Sequence, residues 1–220
     1  MPPSLRTVLA KVQETFRDHP IRCRSSTNNE DLPGFSGAGL YGSYTHRKEE
    51  GHIAKSIQQV YASLWNFRAY EERDFYRIDH ATTAMGVLLH RNYEDEQANG
   101  VAVSDDIVYQ SGRKYYVNTQ VGEDLVTNPD ADSIPEEMIL SPTSSREDTL
   151  ITFSNQVQGN KSILSSSHVD QLRKHLGRIK RKFRRHYGHK RSQGKFAMEI
   201  EFKVTVDGAL VIKQARPWVY

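Results

Sequence analysis

The amino-acid sequence predicts an α+β chain, a mainly antiparallel sheet flanked by helices. Three observations carry that prediction. Residues 196–206 and 210–215 alternate as two strands around Asp207-Gly208, a two-residue hairpin signal. Residues 169–187 carry an apolar stripe, Leu172, Leu176, Ile179, Phe183 and Tyr187, at helical spacing. Further strand candidates lie at 84–92, 100–109, 114–121 and 150–154.

Taken in order, residues 4–18 read as a helix with Leu5, Val8, Leu9, Val12 and Phe16 on one face, Ser4 as its cap and Pro20 beyond its end. Residues 21–24 form a short strand that feeds a loop rich in Gly, Ser and Asn, too long for a simple turn. Ile53, Ile57, Val60, Leu64 and Phe67 mark the next helix, and residues 68–78 continue or bend it. The strands at 84–92 and 100–109 are separated by an acidic hairpin connection, YEDEQAN. Between 128 and 146 the density of Pro, Ser, Asp and Glu predicts an irregular excursion holding a short strand at 138–140. Two parts are expected: 1–80, helical with a phosphate loop at 24–44, and 81–220, sheet-rich and closing on the hairpin at 195–217.

Charged residues make up 26% of the chain and no apolar run approaches the roughly 20 residues that span a bilayer, so a soluble, cytoplasmic chain without membrane contact is expected. Cys23 is the only cysteine, which excludes an internal disulfide and fits a reducing compartment. The net charge of +3 is uneven: residues 171–191 hold ten Lys or Arg and no acid, leaving 20 basic against 27 acidic residues elsewhere. Such a segment raises a polyanion-binding alternative, a non-catalytic module docking a polyanion or protein. The apolar stripe in the same helix reads those cations chiefly as a solvated face, and no helix-turn-helix, zinc-finger or RNP pattern supports nucleic acid.

Chemistry is concentrated at two places. In KFAMEIEFKVTVDGALVIKQARP, residues two apart share a face, so Glu199 with Glu201, and Gln214 with Arg216, point alike. If the two faces coincide, carboxylates meet an amide oxygen and a guanidinium. Oxygen ligands of this kind suit Mg²⁺, which shares its ligands with water and substrate phosphates, and an arginine beside them neutralises phosphoryl oxygens. The bland alternative is a surface ribbon with cross-strand ion pairs. In the loop from Arg24, four glycines at 34, 37, 39 and 42 allow backbone N–H groups to approach phosphate, while Arg24, Ser25 and Ser26 add a cation and hydroxyls.

Together these stretches resemble the nucleotide-binding, ATP-grasp-type domain of the phosphoenolpyruvate synthase and pyruvate phosphate dikinase family. RSSTNNEDLP followed by Ala38-Gly39 resembles the family's RSSxxxEDLP loop. ASLWNFRA with Arg68, ANGVAVS at 98–104, VGEDLV with Gly122 and Glu123, MEIEF and KQARP resemble its later motifs in the same order. The resemblance implies an ATP-grasp-like fold and Mg²⁺-ATP held in a cleft between two subdomains. It implies phosphoryl transfer from ATP to a histidine on a separate domain, and from there to pyruvate or another acceptor. By motif position it implies that Arg24, Ser25, Ser26, Arg68 and Ser43 contact phosphates, with Ser43 standing where the family has a threonine. It implies likewise that Glu201 and Gln214 hold Mg²⁺, that Glu199 and Gln214 line the nucleotide site, and that Arg216 stabilises charge on the transferring group. Residues 88–90 and 118–121 are expected near the adenine.

The chain also departs from the pattern. No KAANL-like lysine motif precedes Arg24, no TSHAA-like phosphohistidine motif is present, and Gln120 stands where the GLGE turn begins with glycine. The expectation is therefore a portion of a larger enzyme or a reduced relative, with the phosphohistidine and acceptor-binding domains outside this chain and no activity in isolation.

Overall fold

A computed structural model describes residues 1–220 apart from 33–34, 38, 123–131 and 219. The chain is α+β and divides into two compact units, Met1–Tyr93 and Glu94–Tyr220.

In the first unit, α1 (Pro3–Thr15) starts with Pro3 in its first turn, where proline's fixed φ and missing N–H do no harm. Ser4 therefore sits inside the helix, and no side chain caps it. The helix ends three residues short of Asp18, and of the expected apolar face only Leu9 is buried while Leu5 and Val8 stay exposed. β1 (Ile21–Thr27) runs past Arg24, and the long loop after it contains the small hairpin β2 (Asp31–Leu32) and β3 (Phe35–Ser36) and the returning strand β4 (Tyr44–His46). Gly37 is needed there: a Cβ would lie 3.0 Å from Glu30 Cα and 3.2 Å from Asn29 O. Helices α2 (Ala54–Ala62) and α3 (Phe67–Phe75) follow, then β5 (Met85–Arg91).

The sheet order is β4-β1-β5, antiparallel throughout. Its core gathers Ile21, Cys23, Ile53, Ile57, Val60 and Met85. Arg73 of α3 is fully buried beside that core. Its nitrogens donate to Leu64 O at 2.6 Å, His80 Nδ1 at 3.1 Å and the Tyr41 hydroxyl at 3.4 Å, and its guanidinium lies 5.7 Å from the Trp65 ring centroid. A buried cation persists only where acceptors such as these replace water.

The second unit is one six-stranded antiparallel sheet in the order β11-β10-β6-β7-β8-β9. Its strands are β6 (Ala98–Val103), β7 (Tyr115–Val121), β8 (Glu136–Leu140), β9 (Thr149–Thr152), β10 (Met198–Val204) and β11 (Leu210–Pro217). The expected hairpin through YEDEQAN does not form. β5 pairs with β1 and β6 with β10 and β7, so that segment carries the chain from one unit to the next.

Helix α4 (Ser166–His186) is capped by Ser165, whose Oγ accepts from His168 N at 3.2 Å. It covers one face of the sheet, packing Leu172 and Leu176 with Val117, Ala102, Ile200 and Phe202. Arg173 fixes the helix to the β8–β9 connection through a paired contact to Asp148, 2.9 Å and 2.6 Å, and through the Ser141 carbonyl. Strand alternation sends Glu199, Glu201 and Lys203 to the opposite face. The tip of the β10–β11 hairpin is a three-residue loop, Val206, Asp207 and Gly208, and not the expected two. Gly208 N donates to Thr205 O at 2.9 Å, Gly208 takes φ 80°, and Thr205 N donates to Ala209 O.

Candidate functional site

The polar face of the β10–β11 hairpin holds the expected group. Glu199 stands directly opposite Arg216, and Glu201 directly opposite Gln214, so the two faces coincide. Arg216 Nε donates to Glu199 Oε1 at 2.7 Å and its Nη2 lies 2.5 Å from the same oxygen. This is a cross-strand ion pair, but not one on a solvated ribbon: the Glu199 side chain is only 10% exposed and that of Arg216 23%. Beside it Lys203 is paired with Glu96 at 2.5 Å, both nearly buried. A charged row with this little water must be matched atom by atom.

The matching is incomplete: Glu96 Oε2 is buried without a hydrogen-bond partner among the described residues. Among the described residues Gln214 Oε1 is also buried without a hydrogen-bond partner, and so is Asn118 Oδ1, three strands along the same face by way of Glu201 and Val101. A buried amide oxygen without a donor costs about 1–3 kcal/mol. Gln214 Oε1, facing the carboxylate of Glu201 across the strands, supplies the hard oxygen chemistry that Mg²⁺ takes. No group of three or more His, Cys, Asp or Glu converges as a metal cage among the described residues.

The first unit carries the other predicted residues. Ser25 and Ser43 meet: Ser25 N donates to Ser43 Oγ at 3.0 Å and the two hydroxyls are 3.2 Å apart. Ser26 is exposed and, by alternation along β1, lies on the opposite face from Ser25, together with Arg24. Leu88 pairs opposite Arg24 and His90 opposite Arg22. Arg68 is exposed on α3, one residue before the buried Ala69.

The sequence reading passed over Arg22. It shares the face of Arg24, donates to Thr45 Oγ1 at 2.9 Å, and is held below the usual arginine range by burial and then by the neighbouring Arg24 charge. The i, i+2 pair of arginines around a buried Cys23 is the signal that could have identified it. Two guanidiniums on one sheet face form an anion-attracting pair.

Gln120, the departure from glycine, is fully buried: its Nε2 donates to Ser133 Oγ at 2.5 Å and its Oε1 accepts from Ser154 Oγ at 2.9 Å. It ties β7 to neighbouring loops. Gly122 takes φ 61° at the strand end, while Glu123 lies outside the described residues, as do Pro33 and Ala38 of the loop motif. On α4, Arg173, Lys180 and Arg184 bond to the chain itself, to Asp148, Ser104 O and His189 O, while Lys174, Arg178, Arg181, Lys182 and Arg185 are exposed. No described helix is long and apolar enough to cross a membrane.

Comparison with known proteins agrees with the motif order. A family model described as "Pyruvate phosphate dikinase, AMP/ATP-binding domain" matches residues 1–219. The phosphoenolpyruvate synthase of Neisseria meningitidis is 25% identical over 224 residues, covering 91% of this chain and 27% of the relative. That of Aeropyrum pernix is 33% identical over 97 residues, 41% of this chain and 12% of the relative. A rifampicin phosphotransferase from Streptomyces is 33% identical over 106 residues, 47% of this chain and 12% of the relative. The chain thus spans about a quarter or less of the length of these curated relatives.

Proposed function

Since the chain belongs to the pyruvate phosphate dikinase AMP/ATP-binding domain family, we propose that it binds Mg²⁺-ATP and supports phosphoryl transfer from ATP to a histidine on another domain. The observation that carries this reading is the Glu201–Gln214 pair, with Gln214 Oε1 buried and without a partner among the described residues, beside an arginine anchored by Glu199. Glu201 and Gln214 are the proposed Mg²⁺ ligands. The cation, when bound, offsets charge on the phosphates.

Phosphoryl transfer asks little covalent chemistry of the protein and depends on positioning and charge stabilisation. Arg216 is the proposed stabiliser of charge on the transferring group. Glu199 shapes the nucleotide site by holding that guanidinium in one orientation before ligand arrives, so little reorganisation remains at the moment of reaction. In the first unit Arg24, Ser25, Ser26, Ser43 and Arg68 are the proposed phosphate contacts, and Arg22 adds positive potential beside Arg24. Residues 88–90 and 118–121 are the proposed neighbours of the adenine. An ATP-grasp-like fold, a cytoplasmic address, and phosphohistidine and acceptor-binding domains supplied from outside this chain belong to the same proposal. The names of the relatives, phosphoenolpyruvate synthases and a rifampicin phosphotransferase, support the phosphotransferase class and leave the acceptor open.

The test is thermal unfolding of the chain titrated with ATP, with and without Mg²⁺. A ligand at 100 times its Kd stabilises by about 2.7 kcal/mol, about 5–10 °C for a chain of this size. The expected result is a metal-dependent shift that Glu201→Ala or Gln214→Ala abolishes. Absence of any shift at millimolar nucleotide overturns the reading.

A further inference from the structure

The second unit also contains a cavity of ≈ 680 Å³, where β6 ends, β10 begins and α4 passes over. None of Glu199, Glu201, Gln214 or Arg216 lines it. Its wall comes from the α4 side of the sheet, including Tyr115, whose strand position is that of the core residue Val117.

Four cations line it, Arg113, Lys180, Arg184 and Lys195, against two carboxylates, Asp105 and Asp106. The carboxylates are already engaged. Asp106 accepts from the backbone N–H of Val108, Tyr109 and Ser111 at 3.2, 2.9 and 2.7 Å and from Ser111 Oγ at 2.5 Å. Asp105 accepts from the Tyr220 hydroxyl at 2.6 Å and lies 4.0 Å from Lys195. Lys180 is tied to Ser104 O at 2.6 Å, and burial holds it below the ordinary lysine range.

Arg184 uses only Nε, on His189 O, so its two terminal nitrogens have no partner among the described residues. Nor does the exposed Arg113 have one among them. A formal excess of two positive charges therefore faces a cavity whose remaining wall includes Phe196, Tyr115 and Pro142. Guanidinium forks above an apolar floor recognise a planar or tetrahedral oxyanion attached to an apolar body.

We propose that this cavity is a second small-molecule site, taking an organic oxyanion whose phosphate or carboxylate lies on Arg113 and Arg184 and whose apolar body lies on Phe196. The site is independent of the nucleotide reading.

Calorimetric titration of the whole chain with phenyl phosphate, benzoate and inorganic phosphate tests it. The expected result is saturable binding of at least one aryl probe, about tenfold or more tighter than inorganic phosphate, and the tighter aryl probe identifies the head group. Arg113→Gln and Arg184→Gln should each weaken binding about tenfold, and Phe196→Ala should remove the aryl advantage. Arg113 is exposed, so its variant reports on binding even if the others fold poorly. No saturable binding of any probe at about 10 mM overturns the proposal. So does binding unchanged in Arg113→Gln, or binding lost in Gln214→Ala, which would put the anion on the other face of the sheet.

Discussion

The Glu199–Arg216 pair offers a decisive measurement, because its strength separates a preorganised charge clamp from an exposed ribbon. At a separation near 4 Å and an effective dielectric of about 20, two unit charges attract by about 4 kcal/mol before desolvation. Exposed pairs retain about 0.2–1 kcal/mol of this, whereas removing one partner of a buried pair costs about 3–5 kcal/mol. With side chains 10% and 23% exposed and two guanidinium nitrogens on one carboxylate oxygen, the pair lies between those limits. A coupling energy of about 2 kcal/mol is expected.

The assay is a double-mutant cycle, Glu199→Ala, Arg216→Ala and both together, read by urea unfolding. Glu199→Ala alone should lower Tm by about 4–12 °C, since it strands a guanidinium in a site with little water. The coupling should persist in about 1 M salt, where the Debye length is about 3 Å and surface pairs are screened. Coupling below about 0.5 kcal/mol, or loss of it in salt, would refute the argument. Arg216 would then be a mobile surface cation, not a group fixed before phosphate arrives.

Two further outcomes follow from the packing. Gly100 lies on β6 between β10 and β7, and a Cβ there would meet the Phe202 ring and come within 2.6 Å of Asn118 O, a backbone atom that cannot rotate away. Gly100→Ala should therefore destabilise by about 3 kcal/mol in urea unfolding, and a cost below about 1 kcal/mol would show that the sheet yields there. Cys23 is fully buried and burial pushes its thiol up to about 11 from 9.0. The unfolded chain loses this proton first, so stability falls as pH rises from about 9 toward about 11, and alkylation by iodoacetamide at pH near 9 should track unfolding; rapid alkylation of folded protein would contradict this.

What the sequence conveyed well was local. The stripe from Leu172 to Phe183 needs only a 3.6-residue period to be read, and α4 packs on the sheet through its first two members. The alternation in MEIEF likewise sets which side chains share a face before any partner strand is known. Pairing at long range was less legible. Residues 84–92 and 98–103 are neighbours in sequence, but the first pairs with β1, about sixty residues earlier, because Val87 and Leu89 join the core that contains Cys23. The sequence marks residues 68–78 as a continued or bent helix and does not single out Arg73. Its burial depends on a carbonyl at Leu64, a hydroxyl at Tyr41 and a nitrogen at His80, which only the folded chain assembles.

The register of the candidate site illustrates how a correct pairing can rest on a different cause. A two-residue tip at Asp207-Gly208 places Glu201 opposite Gln214 directly. The actual three-residue tip starts the ladder one step away, with Val204 opposite Leu210 and Phe202 opposite Ile212. Continued without interruption, that ladder would bring Lys213 opposite Glu201 and Ala215 opposite Glu199, leaving no amide at the carboxylate and no guanidinium beside it. The irregularity between Glu201 and Phe202 makes the register step over Lys213 and restores the phase, so Gln214 and Arg216 reach their partners. β11 can hold that extra residue because it is the edge of the sheet, where no further strand must match it and where an exposed lysine also discourages pairing with another chain. The site thus depends on an edge-strand bulge as much as on the four side chains it aligns.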